Sequence, residues 1–232
     1  MSEPTSQDRA AVVRGLVSLV ITIAVMAVLL FASAGTIAWP LGWWFIVGFV
    51  VCVLIAMAII WRANPELFTA RSRVQPGTKT WDYIFLVLVI GGFVVMPLVA
   101  GLDHRFGWSS VPNWVVVLGY LLFALSFAGQ TWPQAVNRHF EPGVRIQADR
   151  GQTVIDTGPY AIVRHPGYIS GAFLALSIPL MLASWWALIP AFVATLALAI
   201  RTPLEEKTLR AELPGYAEYT QRVRYRWVPG VW

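Results

Sequence analysis

The run PGYISGAFLALSIPLMLASWWALIPAFVATLALAI, residues 166–200, contains 35 consecutive residues without a single Lys, Arg, Asp or Glu. A helix needs roughly 20 apolar residues to cross a bilayer. The run is too long for one span and about right for two, so it predicts a helical hairpin turning near Ser184, Trp185 and Trp186.

Four more apolar runs precede it, at residues 16–38, 41–61, 83–102 and 114–132, each separated from the next by polar or turn-forming residues. The expected fold is all-α: a polytopic transmembrane bundle of about six spans, ending in the hairpin. Hydrophobic residues make up 57% of the chain and charged residues 12%, concentrated in blocks rather than mixed evenly, which makes lipid the solvent. With six spans and the N-terminus inside, the segments 1–15, 62–82, 133–165 and 201–232 hold 16 of the 17 Lys and Arg residues, leaving only Arg105 outside. That asymmetry fits the positive-inside tendency and puts both termini in the cytoplasm. Trp39, Trp43, Trp44, Trp61, Trp81, Trp108, Trp114, Trp132, Trp185 and Trp186 fall at or near span ends, where indoles favour the interface. The first run exceeds the 7 to 15 residues of a signal-peptide core and a second span follows at once, so it is expected to remain in the mature chain.

The formal charge of +5 is spread over the inside loops, where it faces anionic headgroups; this accounts for it without nucleic acid. Cys52 is the only cysteine and lies mid-span, which excludes an intrachain disulfide and a cysteine metal cluster; no metal is expected.

Chemistry belongs to the second half. The four spans of residues 1–132 carry almost no polar side chains, whereas residues 133–232 hold Asn137, Arg138, His139, Glu141, Arg145, Gln147, Asp149 and Arg150 in one loop. So polar a segment cannot lie in hydrocarbon and should fold as a cap on the cytoplasmic face. The chain is thus read as two units, a membrane region (1–132) and a loop, hairpin and tail unit (133–232).

The hairpin is entered through Gly158-Pro159-Tyr160 and Arg164-His165-Pro166-Gly167-Tyr168, with Gly171 following. Proline disfavours helical geometry in the residue before it and suits the first helical turn, so His165 is expected at the N-cap and Pro166 at N1. The helix start, with its free amides and Arg164 beside it, would suit a carboxylate or phosphate; a snorkelling interfacial Arg is the plainer alternative. Gly167 and Gly171 have small-xxx-small spacing, which lets a helix or ligand approach closely.

The hairpin is left through Arg201-Thr202-Pro203-Leu204-Glu205-Glu206-Lys207. Adjacent carboxylates at a span end are functional candidates. The alternative is a solvated helix start with Arg201–Glu205 and Glu206–Arg210 ion pairs at four-residue spacing. Successive helical residues point about 100° apart, so Glu205 and Glu206 should not share one ligand equally. Beyond them, Tyr216, Tyr219 and the alternating Arg residues of the tail suggest a short helix and an extended strip on the membrane surface, either closing a pocket or anchoring the tail.

Gly158-Pro159-Tyr160, Arg164-His165-Pro166, Tyr168 and Gly171, followed by Glu205-Glu206, Tyr216 and Tyr219, resemble the isoprenylcysteine carboxyl methyltransferase family and its phospholipid methyltransferase relatives. The resemblance covers about residues 137–232 and omits the first two spans. It implies S-adenosylmethionine-dependent methyl transfer at the cytoplasmic membrane surface to a hydrophobic, prenyl- or lipid-linked acceptor: a carboxylate, a phospholipid amine or a thiol. It further implies a donor pocket at Tyr160, His165, Pro166, Tyr168, Gly171, Glu205, Glu206 and Tyr219. Arg164 or Arg145 would hold an acceptor carboxylate, and Glu205 or Glu206 would serve as base for an amine. An NADPH-dependent sterol-type reductase shares an Arg-His-x-x-Tyr element but lacks the proline; a noncatalytic scaffold or transporter would need more polar groups within the spans.

Overall fold

A computed structural model describes residues 6–71 and 73–232. The first five residues of the expected cytoplasmic N-terminus, and the side chain of Arg9, lie outside the described residues. The helices run α1 (Ser6–Ala34), α2 (Pro40–Ala63), α3 (Glu66–Ala70), α4 (Asp82–Phe106), α5 (Asn113–Val136), α6 (Pro166–Met181), α7 (Leu188–Glu212) and α8 (Tyr216–Arg222). Five of them, within Val12–Ala34, Pro40–Ala63, Asp82–Phe106, Asn113–Val136 and Leu188–Glu212, are long and apolar enough to cross a membrane. The chain is an integral, multi-pass helical bundle. The hairpin forms as expected, turning at residues 182–187, but its arms are unequal. At 1.5 Å per residue the 16-residue α6 spans about 24 Å against a hydrocarbon layer of about 30 Å.

Small residues set the helix spacing. A Cβ on Gly119 of α5 would lie 2.7 Å from the Met181 amide nitrogen and 2.8 Å from the Leu180 Cβ, so α5 meets the end of α6 backbone to backbone. Ala187, Ala191 and Ala194 of the second arm are fully buried in the main core with Met96 and Ala100 of α4. Without a hydrophobic drive between helices in lipid, close packing of this kind holds them together. Leu30, Phe45, Phe123 and Met181 fill the same core.

At one end of the bundle the polar segment 137–165 folds over the ends of α2 and α5 and the starts of α4 and α6. Asn64, after α2, donates from Nδ2 to the carbonyls of Gln134 and Asn137. Asp82, fully buried at the start of α4, accepts a bidentate pair from Arg201 of α7 (Nε to Oδ1 2.6 Å, Nη2 to Oδ2 2.7 Å). Asp82 Oδ2 also accepts the Val144 amide at 2.7 Å, and Arg201 Nη2 donates to the Pro142 carbonyl at 2.6 Å. One ion pair thus fastens α4, α7 and the cap. At the opposite end, buried Asp103 gathers the Ser109 amide, the Ser109 hydroxyl and the Ser184 hydroxyl, pinning the hairpin turn to α4.

Trp43, Trp44, Trp108, Trp114, Trp132, Trp185 and Trp186 are exposed as interfacial anchors should be. Trp39 is not: it is 2% exposed and stacks on His104 at 4.5 Å. Of the two roles expected for the tail, closing a pocket and anchoring, its Tyr216 and Tyr219 take the first. The tail lies against the hairpin: the Arg164 and His165 amides donate to the carbonyls of Tyr225 and Arg226 (3.0 and 2.9 Å) and Trp227 is buried, with Nε1 donating to Thr202 Oγ1.

Candidate functional site

Between the cap and the spans lies a cavity of about 460 Å³. Its walls include Tyr160, Arg164, His165, Pro166, Tyr168, Gly171, Glu205, Tyr219 and Arg145, so segments far apart in the chain converge there. Glu206 is not part of the wall.

His165 occupies the N-cap position and Pro166 is N1, as the Arg-His-Pro order predicts, but the histidine makes no side-chain cap. Its ring stacks on Tyr168 at 5.3 Å, one helical turn inward. The expected free amides are largely spoken for: those of Arg164 and His165 belong to the tail, and Pro166 has none. Gly158 earlier in the motif takes a left-handed backbone (φ 57°) that a side chain would strain. A Cβ at Gly167 would lie 2.7 Å from the Phe140 ring, so this glycine makes room for the cap. Gly171 faces Leu198 of the other arm.

The two adjacent glutamates divide as helix geometry requires. Glu205 lines the cavity, is partly exposed, and accepts the Tyr168 hydroxyl on Oε2. Glu206 points the other way into protein. It is 2% exposed, accepts Arg164 Nε on Oε1 and Arg226 Nε on Oε2 (2.9 Å), and has His165 Nε2 3.4 Å from Oε1. The alternative of surface pairs Arg201–Glu205 and Glu206–Arg210 is replaced: Arg201 goes to Asp82, and Glu206 to the tail. Arg201 instead lies over the Tyr168 ring, 5.3 Å from its centroid.

The two arginines expected to hold a substrate carboxylate are engaged elsewhere. Arg164 spends Nε on Glu206 and Nη1 on the carbonyls of Val223 and Arg224, both at 2.7 Å. Arg145 is clasped between Glu141 and Asp149, whose hydrogen bonds hold its pKa above the ordinary value and draw Asp149 below the usual carboxylate range. Of the cavity's arginines, the one for which the described residues provide no carboxylate partner is Arg71, which sits 5.1 Å from the Phe140 ring centroid. Sequence reasoning passed it over because it stands alone in a short connection after α3, with no motif around it. Asp82 and Arg201 were missed for a related reason: they lie 119 positions apart.

The phenols are surfaces and hydrogen-bonding groups rather than bases. Tyr219 donates to the Tyr160 carbonyl at 2.7 Å, and Tyr160 Oη accepts from Asn137 Nδ2 at 3.0 Å. Burial pushes the Tyr160, Tyr216 and Tyr219 hydroxyls above their ordinary pKa, which keeps them neutral. Two buried polar atoms on residues of this wall, Tyr216 Oη and Gln130 Oε1, have no hydrogen-bond partner, while His165 Nε2 is turned to Glu206. Orphaned buried polar atoms are uncommon in native proteins and ask for a ligand or solvent partner. A carboxylate, an imidazole, neutral phenols and aromatic faces are groups with which the cavity could hold a charged nucleoside.

Residues 114–213, from the start of α5 to the end of α7, match the family model described as phospholipid methyltransferase. That segment contains the Arg-His-Pro turn and both glutamates. The chain is also similar to the cobalt-zinc-cadmium resistance protein CzcN of Cupriavidus metallidurans, 28% identical over 162 residues that cover 68% of this chain and 69% of that protein.

Proposed function

We propose that this chain, which belongs with the phospholipid methyltransferases through residues 114–213, transfers a methyl group from S-adenosylmethionine to a hydrophobic acceptor at the cytoplasmic membrane surface. The observation that carries this reading is the cavity itself. It joins Glu205, His165 and four tyrosines beneath a polar cap, and its other flank is apolar, with Leu86, Val89 and Phe93 of α4 facing Leu174 and Leu198 of the hairpin.

Bound there, the donor supplies an electrophilic sulfonium methyl. Glu205, oriented by the Tyr168 hydroxyl, is the partner for its ammonium. Tyr216 Oη, which is unpartnered, is the group for its carboxylate, and the rings of Tyr160, Tyr168 and Tyr219 for its adenosine. Residues 133–232 act as the methyl-transfer unit, and residues 1–132 embed it while contributing Arg71 and the α4 side of the apolar flank. The acceptor's chain lies along that flank. A carboxylate is the favoured nucleophile, because it is ionised near neutral pH without a general base and Arg71 is available to hold it. A phospholipid amine, deprotonated by Glu205, or a thiol is the alternative. Positioning supplies most of the acceleration, since the chain has only to align the reacting atoms and exclude water. The positive-inside asymmetry supports a cytoplasmic cap.

Calorimetry on the detergent-purified chain should show binding of S-adenosylhomocysteine and none of NADPH; the reverse preference refutes the reading and favours a reductase. Labelled methyl groups released from membranes as methanol in base would identify an ester and hence a carboxylate acceptor.

A further inference from the structure

A second cavity, about 360 Å³, lies on the other side of Gln130 and Arg71, which line both. It is enclosed by α1, α2, α3 and α5. Its apolar wall is built from Val53, Met57 and Phe127, and α1 closes it where a Cβ on Gly15 would sit 3.5 Å from the Met57 Cε. Its polar rim carries Arg14 and Arg71.

Three features identify what fits it. Arg14 stands near the start of the span Val12–Ala34, Ile60 near the end of Pro40–Ala63, and Gln134 near the end of Asn113–Val136. The cavity therefore straddles the level where headgroups give way to acyl chains. Among the described residues lining it there is no Asp or Glu, and neither arginine has a carboxylate partner there. Glu66, at the start of neighbouring α3, pairs with Arg150 of the cap at 3.4 Å. The site thus offers positive charge without a carboxylate partner among the described residues, above an apolar slot between the helices.

We propose that this second cavity binds an anionic phospholipid, with the phosphate at Arg14 and Arg71 and an acyl chain along Met57 and Phe127. The lipid's head then shares Arg71 with the methyl-transfer cavity, which makes the composition of the surrounding leaflet a condition of that cavity's electrostatics. The site lies mainly outside residues 114–213, and an acceptor carboxylate in the first cavity would compete with the lipid phosphate for Arg71.

The test uses full-length protein stripped of lipid in detergent and titrated with phosphatidylglycerol or phosphatidylcholine of identical chains, with retention read by native mass spectrometry. Wild type should retain phosphatidylglycerol at least about fivefold better, the equivalent of about 1 kcal/mol for one basic contact near a surface. Arg14→Gln, an exposed change that leaves packing intact, should bring the preference down to twofold or less. Met57→Trp, which fills the slot, should lower retention of both lipids. In both variants S-adenosylhomocysteine affinity should stay within twofold of wild type. Equal retention of the two lipids by wild type, or wild-type retention by both variants, overturns the proposal. Failure of the wild type to bind S-adenosylhomocysteine would instead count against the donor cavity and leave the lipid comparison standing.

Discussion

Replacing Glu206 by Gln separates a structural role for this residue from a ligand-binding one. The residue is 2% exposed, and its carboxylate pairs with Arg164 and Arg226 at once. Removing one partner of a buried ion pair costs about 3–5 kcal/mol, because the remaining charge is left uncompensated. Arg164 keeps two carbonyl acceptors, Val223 and Arg224, and Arg226 is 31% exposed in its side chain and can turn to water, so the low end, about 3 kcal/mol, applies. That loss falls on the junction between the tail and the hairpin, where it is worth about a hundredfold in the local opening equilibrium. The assay is hydrogen exchange read at the Arg164 and His165 amides, which donate to Tyr225 and Arg226 only while the tail is docked. Their protection should fall about a hundredfold in Glu206→Gln, and donor affinity should fall with it, because Tyr216 and Tyr219 hang from the same segment. Unchanged protection combined with lost donor binding would refute the reasoning and return Glu206 to the cavity as a direct ligand.

Glu205→Gln should do the opposite, lowering S-adenosylhomocysteine affinity about 10- to 100-fold through loss of one charge-assisted hydrogen bond while leaving the melting temperature nearly unchanged; equal affinity in calorimetry would remove Glu205 from the donor site. Gly119→Ala forces a Cβ against the Met181 and Leu180 backbone and should cost about 1–3 kcal/mol, seen as faster thermal inactivation in detergent. Burial, with Arg138 and Arg150 nearby, holds the His139 pKa below its ordinary value against the opposing pull of the Gln147 hydrogen bond, so the native imidazole is neutral. The unfolded chain then takes up the proton first as pH falls below about 6.5, so stability should be level above that value and decline beneath it until the folded pKa is reached. His139→Gln should flatten that part of the pH–melting-temperature curve, and an identical slope in both proteins would show that His139 does not carry it.

Much of this fold was legible because lipid imposes simple rules. Long uncharged runs have to be helices, and the 35-residue run had to turn. Loops carrying Arg145 and Asp149 had to leave the hydrocarbon. The Arg-His-Pro order fixed the start of α6 for a local reason, proline geometry, and the cavity wall at His165, Tyr168, Gly171 and Glu205 follows from it. What could not be read are pairings set by tertiary approach. Arg164 was assigned to substrate because a cation at a helix start looks free, whereas the tail, 59 positions on, occupies it. Trp39 looked like an anchor by its position at a span end, yet His104 covers it. Arg71 carries no local signal at all.

The division between Glu205 and Glu206 shows how one helix can serve site and scaffold at the same depth. The pair sits where α7 meets the cap, and the rotation of about 100° between neighbours sends one carboxylate into the cavity and the other toward the tail. Asp82 and Arg201 do the equivalent for the cap, one turn earlier on the same helix. Each buried charge is met by a partner from a different segment, so neither pair can form until α4, α6, α7 and the tail have assembled. The residues of the cavity wall are consequently held by ion pairs that report the complete fold, and loosening either pair should blunt donor binding through the positions of His165 and Tyr168, which Glu206 and Arg201 adjoin.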